Sequence, residues 1–311
     1  MTDLFDSRGF QPMLIGQNQD AFDSPDYLYE LKLDGERCLA YLDQNGTDLR
    51  NKRGLKMLSK VPELSEIHQQ VKTRCVLDGE LIVMKEGKPD FDEIKRRSLM
   101  SNEFRIELSA SRYPASFTAF DILYYKDHSI TDLSLVERKK LLQDTVTESD
   151  RLAVSRYIED RGLDLYKLTE EKDLEGIVAK KKDSRYVCSE RTKDWIKCKN
   201  LQDDDFVVCG YVEKENAIAS IILGQYSKGK LLYKGRVTLG VSGDDFQTLK
   251  KAGKANTPLF PGLNDNEVVW LEPAYACTVR YMMKNPSGSL RQPVSKGLRM
   301  DKTPEECIEK V

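Results

Sequence analysis

The sequence predicts an α+β chain in two domains: sheets with helices over residues 1–201, then a small β-barrel over 202–311. Three observations predict it. Long apolar strand candidates alternate with capped helical segments through the first part. The chain changes character after Asn200, where Gln202-Asp203-Asp204-Asp205 is polar and turn-like. Beyond that come short strand candidates separated by glycine turns, the pattern of a small barrel. A length of 311 residues suits two ordinary domains.

Tyr27–Leu31 and Arg37–Asp43 alternate as strands do, and Asn45-Gly46 signals a type I′ hairpin into Leu49–Lys52. Cys75–Met84 is a strong strand followed by a turn at Glu86-Gly87. Phe91–Met100 and Glu103–Ser111 are expected to be short helices, and Ala115–Tyr125 a strand. Ser134-Leu135-Val136-Glu137 has the form of a capping box, so a helix should run from there to Val146. Arg151–Ile158 is expected as a strand, Arg161–Lys172 as a helix and Glu175–Lys181 as a strand. In the second domain the strands are Phe206–Val212, Ala217–Tyr226, Leu231–Thr238 and Val268–Val279, with one helix at Gly243–Gly253.

Composition excludes several classes. Hydrophobic residues are 40%, charged residues 32% and the formal net charge is −2, a globular balance with ample core material. Binding nucleic acid by bulk positive charge is excluded by the sign, so any polyanion site must be a local patch. No run approaches the ~18 apolar residues of a membrane span. The start, Met1-Thr2-Asp3-Leu4-Phe5-Asp6, is acidic and lacks a signal core. The seven cysteines are scattered without a C-x-x-C pair, which fits free thiols in a reducing cytoplasm. With two histidines, His68 and His128, catalysis would rest on lysines, arginines and carboxylates.

Four segments carry such residues. In Tyr29-Glu30-Leu31-Lys32 strand alternation puts Glu30 and Lys32 on one face, before a turn at Asp34-Gly35. Alone, this lysine reads first as an ordinary solvated cation. In Val76-Leu77-Asp78-Gly79-Glu80-Leu81, Asp78 and Glu80 sit inside an apolar run, where carboxylates are costly unless they meet cations, metal or hydroxyls. Glu175 and Lys180 flank another apolar run, and Trp195, Lys197 and Lys199 share a face. Together they describe a cavity of lysines and carboxylates suited to a nucleotide phosphate and a divalent cation. Lys181 and Lys182 suit a solvated strand end, and Trp195 and Trp270 suit packing.

The ordered motifs resemble those of the covalent nucleotidyltransferases. Lys32-Leu33-Asp34-Gly35-Glu36-Arg37 fits K-x-D-G-x-R, followed by Asn51-Lys52-Arg53-Gly54, Asp78-Gly79-Glu80 and Phe120-Asp121. Glu175-Gly176-Ile177-Val178 fits E-G-x-V, and Asp194-Trp195-Ile196-Lys197-Cys198-Lys199 fits D-W-x-K-x-K. Arg291-Gln292-Pro293 and Gly297-Leu298-Arg299-Met300-Asp301-Lys302 fit the family's ending. The chain is most similar to ATP-dependent DNA ligases of the bacterial end-joining type, in a minimal two-domain form. It departs from them at Gln292, where His is common, at Cys198, and in Arg185–Arg191, which lacks the usual Pro-Gly. RNA ligases and capping guanylyltransferases share the superfamily and remain alternatives. A non-catalytic OB-type nucleic-acid binder is a more distant one.

The resemblance implies an ATP-grasp-like adenylation domain of antiparallel sheets flanked by helices, then an OB-fold. It implies that Lys32 attacks ATP to give a lysyl-AMP. The AMP passes to the 5′-phosphate of a DNA nick, and the 3′-hydroxyl then displaces it. Lys197, Lys199 and Arg37 would help activate Lys32. Glu80 and Glu175, with Asp34, would hold Mg²⁺ or Mn²⁺, and Glu80 would also reach the ribose. Phe120 would stack on adenine and Glu30 accept from its amino group. Arg53, Lys180 and Arg191 would lie near the nucleotide or the nick phosphates. Arg299, Asp301 and Lys302 would swing onto the pyrophosphate about a hinge at Gln202–Asp205. The expected state is a cytoplasmic or nucleoid-associated monomer of bacterial, phage or plasmid origin. Nicked duplex DNA would be its substrate and a repair protein a conceivable partner.

Charge is distributed to match. Lys172–Lys199 holds nine Lys/Arg against five Asp/Glu, and Lys284–Lys302 five against one. Nick affinity should therefore fall steeply with salt, although the sequence pI is near 5.9. A log–log titration of affinity against salt that came out flat would count against a basic cleft.

Overall fold

A computed structural model describes residues 3–213, 219–263, 267–284 and 288–309. The start of the strand expected at Ala217 and residues 285–287 of the second basic window lie outside them. The chain divides into two compact units, Met1–Asn200 and Leu201–Val311.

The first unit begins with β1 (Leu14–Asn18), β2 (Tyr27–Leu31), β3 (Glu36–Asp43), β4 (Gly46–Asn51), β5 (Cys75–Lys85) and β6 (Lys88–Pro89). Next come α1 (Phe91–Ser98), α2 (Glu103–Arg112), β7 (Ala115–Tyr125), β8 (His128–Ser129), α3 (Leu135–Thr145), β9 (Leu152–Val154) and β10 (Tyr157–Glu159). The unit ends with α4 (Gly162–Glu171), β11 (Gly176–Lys181) and β12 (Arg191–Lys199). One sheet has five strands in the order β1-β12-β11-β2-β10. The other has seven, β4-β3-β5-β7-β8, with β6 on β5 and β9 on β7. Pairing is antiparallel except for β1 on β12 and β9 on β7, so the expected antiparallel sheets are mixed at these two places.

Alternation sorts the five-stranded sheet. Tyr29, Ile177, Ala179, Ile196 and Cys198 bury against Leu165 and Tyr166 of α4. Their neighbours Glu30, Val178, Lys180 and Trp195 face the other way. Leu39, Tyr41, Val76, Leu123 and Tyr124 of the seven-stranded sheet pack with Met13, Tyr186 and Trp195.

Helix α3 has the expected capping box at Ser134 and Glu137. Its buried face carries Leu135, Arg138, Lys139 and Leu142, at the spacing of one helical stripe. Arg138 makes a fork with Asp121 of β7, at 2.8 and 2.9 Å, and both side chains are fully buried. Lys139 pairs at 2.6 Å with Glu30 of β2. One helix thus ties an acid from each sheet.

The second unit holds β13 (Gln202–Glu213), β14 (Ala219–Ser227), β15 (Lys230–Val237), α5 (Gly243–Lys250), β16 (Val269–Trp270), β17 (Ala276–Tyr281) and β18 (Val294–Arg299). The strand order is β15-β14-β13-β17-β18, with β16 on β13. The sheet curls until its edges meet. Leu239 bridges Val294, and the Ser295 amide donates to the Leu239 carbonyl at 2.8 Å. Phe206, Val208, Ile221, Leu223, Val237, Cys277 and Val279 fill the interior with Phe246 and Leu249 of α5. This curled sheet is the expected OB-fold barrel.

Several expectations are corrected. Gln202–Asp205 is not a turn: it opens β13 and pairs with β17 from Gln202↔Tyr281 to Asp205↔Thr278. Each carboxylate finds a cross-strand donor: Arg280 for Asp203 (2.7 Å), the Tyr281 hydroxyl for Asp204 (2.7 Å) and Thr278 for Asp205 (2.6 Å). Arg151–Ile158 is two strands, β9 and β10, in different sheets. Val268–Val279 is likewise β16 and β17. Neither β1 nor β18 was expected. The hairpin at Asn45-Gly46 is not type I′, because its loop residues Gln44 and Asn45 lack positive φ. That condition is met at Glu86-Gly87 (φ 52° and 79°) and at Lys228-Gly229 (49° and 76°).

Removing one partner of a buried ion pair leaves an uncompensated charge, so Arg138→Met should cost about 3–5 kcal/mol. Urea unfolding should show it as a lower midpoint at unchanged slope. Arg138→Met with Asp121→Leu should recover much of the loss.

Candidate active site

A cavity of about 210 Å³ in the first unit is lined by Ile15, Glu30, Leu31, Lys32, Leu33, Arg37, Glu80, Phe120, Val178, Lys180 and Trp195. Strand register explains why these side chains converge. Glu30 stands opposite Val178, which stands opposite Lys197. Lys180 stands opposite Trp195, and Gly176 opposite Lys199. The Lys32 amide donates to the Gly176 carbonyl at 2.9 Å, extending the same rows. Gly176 has φ +129°, and a Cβ there would lie 2.2 Å from the Cys198 carbonyl oxygen, so that position demands glycine.

The opposite wall comes from β3, β5 and β7. Arg37 of β3 is directly across from Glu80 of β5. On β7 the register jumps from Asp121 to Ala119 while β5 advances from Asp78 to Gly79. Phe120 is the extra residue, a bulge that re-aims its ring into the cavity.

Lys32 Nζ lies 2.7 Å from Glu175 Oε2, with the Glu175 side chain buried. Arg37 forks onto buried Asp78 at 3.0 and 2.5 Å, and Tyr186 donates to the same carboxylate at 2.6 Å. Glu80 loses water to the surrounding walls, and this desolvation, opposed by Lys32 and Arg37, pushes its carboxyl up to about 8. Glu30 is fully enclosed. Burial alone would raise its carboxyl, but Lys139 and Lys180 (3.0 Å) and the Ser155 hydroxyl (2.7 Å) hold it below the ordinary range. Burial drives the Lys180 ammonium down to about 8 against the pull of Glu30. Its Nζ sits 4.3 Å from the Phe120 ring centre and 4.2 Å from that of Trp195.

The cavity thus gathers Glu30, Lys32, Arg37, Glu80, Phe120 and Lys180 of the expected residues. Glu175 joins through Lys32, and the register places Lys197 and Lys199 on the same face. Asp34 is half-buried in the turn after Lys32 and outside the lining. Arg53 is exposed on the loop after β4. Arg191 is exposed at the start of β12 and donates to the Ile15 carbonyl. Neither Arg53 nor Arg191 lines the cavity. Among the described residues no three His, Cys, Asp or Glu side chains form a ready metal cluster. Arg299, Asp301 and Lys302 lie in the second unit. There Asp205 meets Lys302 at 2.5 Å and Arg299 at 3.5 Å, and Arg299 forks onto Asp301 at 2.8 Å. That fork lowers the Asp301 carboxyl to about 2.

Sequence reasoning missed Lys139, Arg138, Ser155 and Tyr186. The signal for the first two was present, because helical spacing puts Arg138 and Lys139 on the stripe of Leu135 and Leu142. Ser155 and Tyr186 carry no comparable pattern.

Residues 12–199 match the family described as ATP dependent DNA ligase domain, and residues 214–302 match the ATP dependent DNA ligase C terminal region. The chain belongs to the ATP-dependent DNA ligase family. It is 28% identical over 320 residues to the multifunctional non-homologous end joining DNA repair protein LigD of Mycobacterium tuberculosis, covering 98% of this chain and 40% of that protein. It is 29% identical over 283 residues to the SPbeta prophage-derived DNA ligase-like protein LigB of Bacillus subtilis, covering 91% of this chain and 96% of that one. A structure of mycobacterial DNA ligase D complexed with ATP and MES matches with TM-score 0.57 and 26% identity, over 97% of this chain and 99% of that chain. The chain therefore spans about 40% of the length of its LigD relatives. No helix among the described residues is long and apolar enough to cross a membrane.

A ligase-family site with a carboxyl near 8 has a stability signature. Glu80 titrates near 8 when folded and near 4.5 when unfolded. Between those values the folded state binds more protons, so stability falls as pH rises and stays reduced above 8. Glu80→Gln should therefore gain melting temperature relative to the unsubstituted protein on going from pH 5 to pH 9. Parallel melting curves across that range would refute the assignment.

Proposed function

We propose that this chain is an ATP-dependent DNA ligase that seals 5′-phosphate/3′-hydroxyl breaks in duplex DNA through a lysyl-AMP on Lys32. The observation that carries the reading is Lys32 at the mouth of a cavity with an aromatic wall, held by a carboxylate 2.7 Å away. Lys32 Nζ, once deprotonated, forms a bond to the α-phosphorus of ATP as the bond to pyrophosphate breaks. The AMP then moves from nitrogen to the 5′-phosphate oxygen of the nick. The 3′-hydroxyl oxygen attacks that phosphorus and AMP leaves, giving the phosphodiester.

Phe120 supplies the face on which the adenine lies, with Trp195 edge-on to it at 6.0 Å. Glu30 and Lys180 present an acceptor and a donor to the base edge. A space of about 210 Å³ is below the ~300–1,000 Å³ of typical ligand pockets, so it suits the base with the phosphates at the mouth. Arg37, Lys197 and Lys199 face the phosphates, while Arg53 and Arg191, being exposed, suit the nick backbone. Arg299, Asp301 and Lys302 serve the departing pyrophosphate. Glu80 and Glu175 fit a Mg²⁺ or Mn²⁺ ion: both are hard oxygen donors beside Lys32. Asp34 is a further candidate ligand. When bound, that ion would neutralise charge on the triphosphate.

Incubation with ATP or GTP labelled at the α-phosphate, followed by denaturation, should leave covalent label from ATP alone. Lys32→Ala should abolish that label while leaving salt-dependent DNA binding within about threefold, since one phosphate contact is a small part of a binding footprint. Label from GTP, or label persisting in Lys32→Ala, would overturn the reading. A panel of nicked DNA with RNA on either side separates an RNA ligase.

A further inference from the structure

Glu30 is held from three other segments. Lys139 of α3 and Lys180 of β11 both reach Oε1, at 2.6 and 3.0 Å. Ser155, in the crossover between β9 and β10, donates to Oε2 at 2.7 Å. All four residues are buried: Glu30 to 2%, Lys139 to 1%, Lys180 to 3% and Ser155 to 7% exposure. Glu30 and Lys180 line the cavity, whereas Lys139 does not. It stands behind them, over the Tyr157 ring of β10 at 5.6 Å.

The other charges that face this group are Asp121 of β7 and Arg138 of α3, which satisfy each other, and across the cavity Lys32, Arg37 and Glu80. Among themselves Lys139, Lys180 and Glu30 leave one positive charge, with all three side chains buried. Such a cluster is expensive to bury, and an apolar side chain at 139 would generally be the cheaper solution. A lysine there suits a different task. With Oε1 shared by two ammonium groups and Oε2 taken by Ser155, little freedom remains to the carboxylate. Its orientation, and its place beside Lys180, are fixed before any ligand enters.

We propose that Lys139 is a positioning residue for recognition of the nucleotide base, holding Glu30 ionised and oriented so that Glu30 and Lys180 present a fixed acceptor–donor pair to the base edge. This rests on the reading that the cavity takes ATP. Preorganisation of this kind lowers the cost of binding, so the effect belongs in KM more than in kcat.

The test is covalent adenylation by Lys139→Met, Lys139→Gln and Lys139→Arg across pH, with urea unfolding of each. Lys139→Met should raise KM for ATP about tenfold, the scale of one charge-assisted hydrogen bond, with a smaller change in kcat. Lys139→Arg should restore KM. Lys139 lowers both the Glu30 carboxyl and the Lys180 ammonium, so its neutral replacements let both rise. The acid and alkaline limbs of the adenylation profile should each move to higher pH. Lys139→Gln keeps a donor and drops the charge, so it should shift the profile even if the Met variant folds poorly. Ser155→Ala removes a hydrogen bond that also lowers the Glu30 carboxyl but leaves Lys180 alone, so it should raise KM and move only the acid limb. A folded neutral variant with the original KM and pH profile would overturn the proposal, as would Ser155→Ala moving the alkaline limb. Absence of covalent AMP in the unsubstituted protein would instead overturn the ligase reading.

Discussion

Helix α3 is the constraint on which the site depends. Its consecutive residues Arg138 and Lys139 each take an acid from a different sheet, Asp121 from β7 and Glu30 from β2. Buried charges of this kind tolerate little displacement, because each loses its partner over a short distance in a medium that screens poorly. Asp121 is the neighbour of Phe120, and Glu30 is two residues from Lys32. Fixing the two acids therefore fixes the aromatic wall against the lysine. The capping box at Ser134 and Glu137 sets where the helix starts, and so which residues of the stripe meet the acids. A local signal of a few residues thus sets the width of the cavity.

The second determinant is a register defect. An unbroken β7 would alternate strictly, and Phe120 and Asp121 would point to opposite faces. The bulge adds one residue between the pairs Asp78↔Asp121 and Gly79↔Ala119, so Asp121 can meet Arg138 while Phe120 enters the cavity. Gly79 permits this approach of β7, since a Cβ there would lie 2.5 Å from the Thr118 carbonyl oxygen and 2.5 Å from the Phe117 ring. Packing on the outer faces is ordinary period-two burial. The unusual geometry is confined to the wall that bears Phe120.

How much was legible follows from these particulars. Glu30, Lys32, Lys180 and Trp195 share a face by alternation alone, and alternation is readable one strand at a time. Pairing partners are not. Arg151–Ile158 looks like one strand because its pattern is continuous, yet Ser155 and Arg156 carry the chain from one sheet to the other. The run Gln202–Asp205 looks like a turn because aspartate is rare in strands. It is a strand because Arg280, Tyr281 and Thr278 arrive from residues some seventy positions later, and no local window contains them. Lys139 escaped notice for the opposite reason: the helical stripe contained it, but a lysine on a helix is ordinarily read as solvated.

Net charge is uninformative for a related reason. Four of the cations assigned to phosphate are already held by carboxylates: Lys32 by Glu175, Arg37 by Asp78, and Arg299 and Lys302 by Asp205. A phosphate entering such a site does not meet bare positive charge. It exchanges with an internal anion, and its binding energy is the difference between two partners of the same lysine or arginine. Exchange keeps the long side chains ordered and lowers the repulsion among clustered cations. It also makes each step reversible, since the carboxylate remains nearby to reclaim the cation when the phosphate leaves. For the proposed reaction, which releases pyrophosphate and then AMP, a grip that can be returned to the protein serves better than a stronger one.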